Sequence, residues 1–352
     1  MRIAVVAPGL DIVGGQSIQA AALCAGLQQA GYAVDFVPVN PRFPRGLGWV
    51  RRCPYARTML NEALYFPSLH RLRRADVVHV FSASYWSFLI AVAPALLAAR
   101  RFGKRILLNY HSGEAEDHLD RWGALVHPWL ALADEIVVPS EYLRAVFARH
   151  GYPARAVPNL VDTNRFRYRD RMPPHARFLS ARNLEPYYRV DVTLEAFAMV
   201  RDRFPSATLT ITGDGRERAR LMRRAAELGG QGIRFVGRVN PADMPAHYEA
   251  ADVFVNSSVV DNQPLSVLEA FAAGLPVVST ATGDIAALVR DGETGLVVPA
   301  NDPAATAKAL IVMLEYPVRA LRMARQARSE VEAFTWERLR EQWAAAYAGG
   351  PA

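Results

Sequence analysis

Two acidic residues stand out in the segment 255–280, VNSSVVDNQPLSVLEAFAAGLPVVST. The pattern predicts a strand, a loop that contains Asp261, an apolar helix that begins near Leu265, and a further strand. The unpaired N–H groups and the positive dipole end of such a helix can bind phosphate oxygens. Glu269, about one turn further along, can accept hydrogen bonds from both hydroxyls of a ribose. A second interpretation stays open, in which Asp261 and Pro264 only begin a core helix and Glu269 is solvated.

Three other positions carry groups suited to the same chemistry. Gly14 and Gly15 follow the first apolar run, where a loop without Cβ atoms can approach a phosphate, although a glycine pair also fits a tight turn. Arg182 can offer a fork of donors to a diphosphate leaving group, or can form a surface salt bridge. His111 ends the run ILLNYH and can bind a sugar hydroxyl or stabilise charge, or it is a structural histidine.

These residues must be positioned by an alternation of strands and helices that runs along the chain. Uninterrupted Val/Ile runs are typical of parallel sheets covered on both faces. The sequence therefore predicts an α/β fold with two doubly wound, Rossmann-like domains, and ligands bound at the strand ends in the cleft between them. The predicted strands are 3–7, 33–39, 77–81, 105–109 and 135–139 in the first domain, and 177–179, 207–212, 233–236, 253–256 and 276–279 in the second.

The 352 residues exceed what one hydrophobic core usually supports, which indicates about two domains. The segment 164–175, NRFRYRDRMPPH, is charged and contains proline, as expected of an exposed linker. We therefore expect a first domain over 1–163 and a second over 176–333. The final segment, 334–352, is predicted to form a helix that packs back on the first domain.

Composition excludes several classes of protein. Hydrophobic residues make up 51% and charged residues 21%, so the chain is neither largely disordered nor fibrous. The 2 cysteines, Cys24 and Cys53, belong to no CxxC pair, which argues against a disulfide scaffold or a zinc site and favours the cytoplasm. The net charge of +7 favours anionic partners such as phosphorylated molecules, an acidic membrane surface or nucleic acid.

One uncharged stretch, 82–99, approaches the length of about 20 residues that a membrane span needs. Pro94 and three serines count against a span. The favoured interpretation is a buried strand over 77–81 followed by an apolar helix.

Taken in order, the motifs resemble the retaining glycosyltransferases of family 4, which have the GT-B fold. That family carries an E-x7-E pair followed by A-x-x-x-G-x-P, and Asp261, Glu269, Ala270, Gly274 and Pro276 match this layout. The resemblance covers nearly the whole chain. Its other landmarks are the glycine pair at 14–15, His111, PNLVD at 158–162, Arg182, GDG at 213–215, FVG at 235–237 and DGETGLV at 291–297.

The resemblance implies a hexosyltransferase whose second domain binds a UDP- or GDP-sugar. In this family Arg238 and Val239 would lie beside the base, Gly213 would line the donor site, and Glu269 would hold the ribose. The family transfers the sugar with retention of the anomeric configuration, through front-face attack assisted by the departing phosphate. It uses no metal and no other cofactor, and the chain has no D-x-D triplet of the kind that holds a metal on a diphosphate.

The same resemblance assigns the phosphates and the donor sugar. Arg182 and the helix start at Leu265 and Ser266 would hold the phosphates, while Asp261 and Asn262 would face the sugar. The first domain would contribute Gly14 and Gly15 near the donor, and would hold the acceptor. The residues expected to be catalytic are His111, Asp261 and Glu269.

The chain departs from the family pattern at several positions. The first acid is Asp261 and not Glu, and Asp is one methylene shorter, which can shift its contact with the donor sugar. The family lysine after Arg182 is missing, and Arg189 is the candidate that replaces its charge, although Arg and Lys differ in geometry. Leu160 stands where the junction motif usually has Gly, and the GG-x-P-E segment is reduced to GDIAA at 283–287. The retained His111, Arg182 and Glu269 indicate a divergent subgroup.

A basic segment from Arg42 to Arg74 has eight arginines, interleaved aromatic residues and one acid, Glu62. In this family such a segment can meet an anionic membrane and a polyprenyl-diphosphate-linked or other glycan acceptor. We therefore expect a cytoplasmic enzyme of bacterial surface glycan synthesis, peripheral to the inner face of the membrane. An ordinary solvated surface is the alternative, and nucleic acid is not expected as a partner.

Other functions remain open on the same residues. The dinucleotide site of an NAD-dependent oxidoreductase is loosely similar to the glycine pair at 14–15 with Asp35 about 20 residues later. The G-x-G-x-x-G spacing of such a site is absent, however. A nucleotide-sugar epimerase or hydrolase, or a sugar-nucleotide sensor, would fit the same fold.

Overall fold

The computed structural model describes residues 1–9 and 14–350. They form two compact units, one comprising Met1–Leu160 together with the chain from Leu339 onwards, and the other Val161–Arg338. Each unit contains a six-stranded parallel sheet with helices around it. This architecture agrees with the predicted pair of doubly wound α/β domains.

The sheet of the first unit has the strand order β2-β1-β3-β4-β5-β6. All residues of β3 and all but the first of β1 are buried, which explains their continuous apolar sequences. The last strand has only two residues, too few for the sequence pattern to reveal. The strands are β1 (Arg2–Ala7), β2 (Ala33–Pro38), β3 (Val77–Ser82), β4 (Arg105–Tyr110), β5 (Glu135–Val138) and β6 (Arg155–Ala156).

The helices of the first unit connect these parallel strands and cover the sheet. The uncharged stretch 82–99 forms the end of β3, a π turn over Phe88–Val92 and the start of a helix with buried Ala95 and Leu96. Among the described residues, no helix is long and apolar enough to cross a membrane. The helices are α1 (Gly15–Gln29), α2 (Pro54–Ser68), α3 (Ala93–Arg101), α4 (Ala115–Leu130) and α5 (Glu141–Arg149).

The sheet of the second unit has the order β12-β11-β10-β7-β8-β9. Neighbouring residues of one strand enter different apolar clusters, for example Phe254 and Val255 of β10, because alternate side chains point to opposite faces. The sequence missed only the three-residue β12. The strands are β7 (Arg177–Ala181), β8 (Thr208–Thr212), β9 (Ile233–Gly237), β10 (Val253–Asn256), β11 (Val277–Thr280) and β12 (Leu296–Val298).

The helices that follow complete the chain. Their order with the strands places the reversal of the winding between β7 and β10, and the corresponding reversal in the first unit lies between β1 and β3. Ligands of doubly wound sheets bind outside the carboxyl ends of the strands at such a reversal. The helices are α6 (Val190–Arg203), α7 (Arg218–Glu227), α8 (Met244–Ala250), α9 (Leu265–Ala272), α10 (Ile285–Leu288), α11 (Pro303–Glu315), α12 (Pro317–Val331) and α13 (Trp336–Ala348).

The expected exposed linker over 164–175 is instead part of the second unit, which already begins at Val161. Arg171 in this segment is only 1% exposed. Its guanidinium donates to the main-chain carbonyls of Tyr248 and Ala251, each at 2.9 Å. Most other residues of the segment are exposed. The burial of Arg171 was not predicted because a run of arginines looks solvated in sequence, whereas a buried guanidinium is stable when carbonyl oxygens accept its hydrogen bonds.

The last helix contributes to the core of the first unit from Leu339 onwards. Trp343 and Tyr347 are buried there, and the Tyr347 hydroxyl lies 2.7 Å from Nδ1 of His79 in β3. The C-terminal segment is therefore held by both apolar contact and a buried hydrogen bond.

Candidate functional site

Arg182, Asp261 and Ser266 come together at the carboxyl ends of β7 and β10. Arg182 directly follows β7, Asp261 lies in the loop after β10, and Ser266 is in the first turn of α9. The Arg182 Nη2 group forms an ion pair with Asp261, and its Nη1 group lies 3.2 Å from the Ser266 hydroxyl oxygen. The two charged side chains are only 9% and 11% exposed. The structure thus brings together the residues that the sequence predicted for a phosphate and a sugar.

Arg182 is fixed on a second side by an aromatic ring. Its Cζ atom lies 4.0 Å from the centroid of the Tyr188 ring, within the range of a cation–π contact. The Arg182 Nε–H is buried, and no described residue accepts a hydrogen bond from it. An unpaired buried donor is costly, so this N–H is available to an oxygen of a ligand. Burial also raises the pKa of Asp261, and the Arg182 charge partly opposes this shift.

Two glycines let neighbouring loops pack against this pair. Gly213 has φ +123°, and a Cβ there would collide with the carbonyl oxygen of Arg182. Gly283 has φ +54°, and a Cβ there would collide with the carbonyl oxygen of Asp261. Gly213, which was predicted to line the donor site, therefore packs against the main chain of Arg182. Its own N–H donates to the carbonyl of Gly237 at 2.8 Å.

Glu269 lies in α9, eight positions after Asp261, and is partly exposed. Its Oε2 atom accepts a hydrogen bond of 2.7 Å from the hydroxyl of Tyr248, which is wholly buried. Burial raises the pKa of Glu269 to about 7, although the hydrogen bond from Tyr248 lowers it in part. Glu269 is therefore not the solvated surface acid that the sequence left open, and its other oxygen can accept a hydroxyl.

The remaining predicted donor residues of the second unit lie after β9 and β10 of the same sheet. Asn262 is 4% exposed, and its N–H donates to Oδ1 of Asp261 at 3.0 Å. Leu265 begins α9 after Pro264, with no side-chain cap. Arg238 and Val239 follow β9, the first exposed and the second half-buried. None of these positions conflicts with the predicted role.

Arg189 makes side-chain contacts with residues other than those of this cluster. Its Nε–H donates to Oδ1 of Asp191 at 3.0 Å, and its Nη1 group contacts the side-chain oxygen of Asn301. The backbone of Arg189 is left-handed, with φ +46°, at the start of α6. The guanidinium that was expected to replace the family lysine is thus bound elsewhere, whereas Tyr188 contacts Arg182.

In the first unit, Gly14 and Gly15 stand at the start of α1, at the reversal of the winding. Gly14 has extended backbone, with φ −166°, which any residue adopts. Among the described residues, none lies within 4 Å of a Cβ built on either glycine. Neither a required backbone conformation nor close packing against the described part of the chain accounts for the two glycines.

His111 directly follows β4 and is half-buried. Its ring stacks on Phe81 at 5.1 Å, and Phe81 stacks on His79 at 5.0 Å. Burial lowers the pKa of His111 to about 4, so its ring is neutral at pH 7. The Nε2 atom is buried and has no hydrogen-bond partner in the described part of the chain. A neutral imidazole can exchange a hydrogen bond with a sugar hydroxyl but brings no charge.

Sequence reasoning missed two tyrosines of the site. Tyr188 lies beside the position of the absent family lysine, which was the one available signal. Tyr248 lies in the short α8, 21 positions before its partner Glu269. Its sequence context is that of a core residue, so no local spacing could have revealed the contact.

No cluster suited to a metal ion was found within 1–9 and 14–350, where at least three His, Cys, Asp or Glu side chains would have to meet.

Comparison with known proteins gives consistent results for both units. Residues 13–165 match the profile described as Glycosyltransferase Family 4, and residues 175–316 match the one described as Glycosyl transferases group 1. The chain is 33% identical over 264 residues to the GDP-mannose-dependent alpha-(1-6)-phosphatidylinositol monomannoside mannosyltransferase of Mycolicibacterium smegmatis, covering 66% of this chain and 68% of the relative. It is 26% identical over 369 residues to the phosphatidyl-myo-inositol mannosyltransferase of Mycobacterium leprae, covering 97% and 95%.

Among solved structures, the Anabaena HepE protein in complex with UDP and glucose has the same fold. Its TM-score is 0.75 at 17% identity, with 99% of each chain covered. The relatives above are transferases, and none of these comparisons supports the NAD-dependent oxidoreductase. Asp35, the acid on which that alternative depended, lies within β2 and forms an ion pair with Arg71.

Proposed function

Because the chain belongs to glycosyltransferase family 4 and is therefore a nucleotide-sugar glycosyltransferase, we propose that it is a retaining, metal-independent enzyme whose second unit holds the donor. The observation that carries this proposal is the cluster of Arg182, Asp261 and Ser266 at the reversal of the winding, with Glu269 further along α9. It combines a nearly buried cation and a helix start, which can bind a diphosphate, with an acid that can bind a ribose.

In this proposal the two ends of the donor contact different parts of the second unit. Glu269 accepts the ribose hydroxyls through the oxygen that Tyr248 does not use. Arg182, with the α9 start at Leu265 and Ser266, binds the diphosphate and stabilises the negative charge that develops as the sugar departs. Asp261 and Asn262 face the sugar, while Arg238 and Val239 lie beside the base.

Retention is proposed to proceed by front-face attack, with the departing phosphate accepting the acceptor's proton. Two features support this route. Asp261 is engaged by Arg182 and Glu269 by Tyr248, so both carboxylates of the site already serve as binding groups. Arg182 provides positive charge beside the leaving group, which is the task that a metal ion performs in other transferases.

The donor is proposed to be a UDP- or GDP-sugar. The M. smegmatis relative is named as GDP-mannose-dependent, and the Anabaena structure contains UDP and glucose. The acceptor is proposed to be a glycan or a polyprenyl-diphosphate-linked sugar, with His111 of the first unit binding one of its hydroxyls. Both mycobacterial relatives act, by name, on phosphatidylinositol compounds, which favours a lipid-linked acceptor.

A peripheral position on the inner face of the cytoplasmic membrane is part of this proposal. On α2, Tyr55, Met59 and Phe66 are 88%, 75% and 49% exposed. They recur at intervals of 4 and 7 residues, so they lie along one face of the helix. Exposed Arg57 and Arg73 lie in the same segment, although the side chains of Arg51 and Arg52 fall outside the described set. Exposed apolar side chains combined with arginines suit an anionic lipid surface.

The test is transfer by the purified full chain from UDP-glucose and GDP-mannose to a membrane-lipid extract, with and without a chelator. We expect nucleoside diphosphate release that depends on the extract, survives the chelator and yields an α-linked product by NMR. Loss of activity with the chelator would refute metal independence, and a β-linked product would refute retention. Nucleotide release that is independent of any acceptor would favour a hydrolase.

A further inference from the structure

The ion pair between Arg182 and Asp261 places a carboxylate where a diphosphate also needs to bind. Asp261 holds the Nη2 group of Arg182, and Ser266 lies beside Nη1. Nε of this guanidinium has no hydrogen-bond acceptor among the described residues, and bidentate binding of a phosphate needs at least one of the two Nη groups as well. A phosphate that binds Arg182 in the bidentate manner must therefore share the guanidinium with Asp261 or displace it.

The Arg182 side chain has little freedom to move, so it cannot leave Asp261 to bind a phosphate elsewhere. Tyr188 covers its face at 4.0 Å, and the side chain is 9% exposed. The main chain of Asp261 is also constrained, because Gly283 packs on its carbonyl, and the Asn262 N–H holds Oδ1. Oδ2, which pairs with Arg182, is therefore the oxygen that can change its partner. Two anions placed against one fixed cation in a largely buried site repel each other strongly.

The second cation predicted for the diphosphate does not relieve this repulsion. Arg189 is bound to Asp191 and Asn301. Arg182 is therefore the arginine of the cluster that binds the phosphate. An ion pair that persists between Arg182 and Asp261 weakens phosphate binding directly.

We propose that Asp261 makes the enzyme discriminate between the intact nucleotide-sugar and the free nucleoside diphosphate. This inference rests on the proposed donor site. When a sugar is attached, its hydroxyls donate hydrogen bonds to Asp261, which compensates the carboxylate for releasing Arg182. The free nucleoside diphosphate offers no such donors, so Asp261 returns to Arg182 and the product departs. Asp261 is thus a specificity residue that promotes product release, which limits turnover in many enzymes.

The test compares Asp261→Asn with wild type by isothermal titration calorimetry on the full chain. The probes are UDP, UDP-glucose, GDP and GDP-mannose without acceptor, and the parent nucleosides. For the base that binds, we expect the affinity of the free diphosphate to rise about tenfold. The affinity of the nucleotide-sugar should stay the same or fall, and that of the nucleoside should not change. In steady-state assays, product inhibition should become stronger.

Asp170→Asn is the matched control, because Asp170 also pairs with an arginine of the second unit, Arg325, but does not contact Arg182. It should leave the ratio of the two affinities unchanged. Asp261→Ser also removes the charge and should act in the same direction, which guards against a folding defect in one variant. An unchanged ratio, or a weaker diphosphate affinity in both Asp261 variants, would overturn the inference while leaving the donor site intact. Absence of any nucleotide binding to wild type would overturn both.

Discussion

The two units have related sheets but hold their candidate residues in opposite electrostatic conditions. In the second unit, Arg182 and Asp261 form a largely buried ion pair, and Glu269 has a pKa of about 7. In the first unit, His111 stacks on Phe81, and its pKa of about 4 leaves it neutral. The candidate site of the second unit therefore contains charged side chains fixed by ion pairs and hydrogen bonds. That of the first unit contains a neutral histidine beside aromatic rings.

This difference matches the demands of glycosyl transfer. The leaving group gains negative charge, so a site for it needs a fixed cation that costs no reorganisation during the reaction. An acceptor hydroxyl is neutral and requires orientation, which a single uncharged imidazole can provide. We therefore expect substitutions in the second unit to affect nucleotide binding and transfer together, and substitutions in the first to affect transfer alone.

The largest effect is expected from Arg182→Ala. Loss of the guanidinium removes charge stabilisation of the leaving group, and kcat should fall by about 100-fold to 1000-fold. Arg189→Ala is the matched control, because Arg189 is bound to Asp191 and Asn301 and should change kcat by less than about threefold. Equal losses in the two variants, measured by nucleotide release, would restore Arg189 to the phosphate site.

Glu269→Gln is expected to weaken nucleotide binding by about 10-fold to 100-fold, because the amide has no negative charge and only one acceptor oxygen, whereas the carboxylate uses one oxygen for Tyr248 and the other for the ribose hydroxyls. Calorimetric titration with the free diphosphate measures this loss. Wild-type affinity in the variant would contradict the assignment of Glu269 to the ribose.

The same variant also makes a prediction about pH and stability. The pKa of Glu269 is raised from 4.5 to about 7 in the folded chain, so the folded state binds the proton more tightly than the unfolded state. Its contribution to stability is present below pH 4.5 and is lost as the pH rises through 7, by up to about 3 kcal/mol. Glu269→Gln should therefore be more stable than wild type at pH 8, and the difference should shrink towards pH 5 in denaturant titrations. A constant difference would contradict the raised pKa.

His111→Ala is expected to lower transfer by about tenfold while the affinity for the donor stays at the wild-type value. Because burial lowers the pKa of His111 to about 4, its titration should not appear in the kcat profile above pH 5. His175→Ala, an exposed histidine of the second unit, should have no effect on either quantity. A loss of donor affinity in His111→Ala would abolish the distinction between the two units.

The smallest effect concerns the lipid surface. Met59→Asp places a negative charge on the exposed face of α2, and co-sedimentation with anionic vesicles should fall by about threefold to tenfold. Leu125→Asp is the matched control on α4, because Leu125 is also exposed, at 55%. Equal sedimentation of the two variants would contradict the membrane role of α2.

The sequence predicted most of the fold because long apolar strands bury both faces and leave a clear pattern. The two- and three-residue strands β6 and β12 carry too little pattern to be seen. The buried Arg171 was misread for a different reason, since its partners are main-chain carbonyls that no sequence motif marks.

The candidate site was likewise predictable only where its residues stand at positions that the sequence pattern marks. Arg182, Asp261 and Ser266 were found because they follow strand ends or begin a helix, positions that topology brings together. Tyr248 and Tyr188 were missed because their contacts depend on side-chain packing across the unit. The contacts of Arg189 with Asp191 and Asn301 were not predicted for the same reason, since charge alone does not show which acid a guanidinium will bind.

The most direct test of a donor site in the second unit is thermal unfolding of the full chain with UDP, GDP, ADP and NAD in parallel. A ligand at 100 times its dissociation constant should add about 2.7 kcal/mol of stability. The account predicts that UDP or GDP stabilises wild type and His111→Ala equally, and stabilises Arg182→Ala and Glu269→Gln clearly less. Stabilisation by NAD alone, or by UDP or GDP to the same extent in all four proteins, would contradict it.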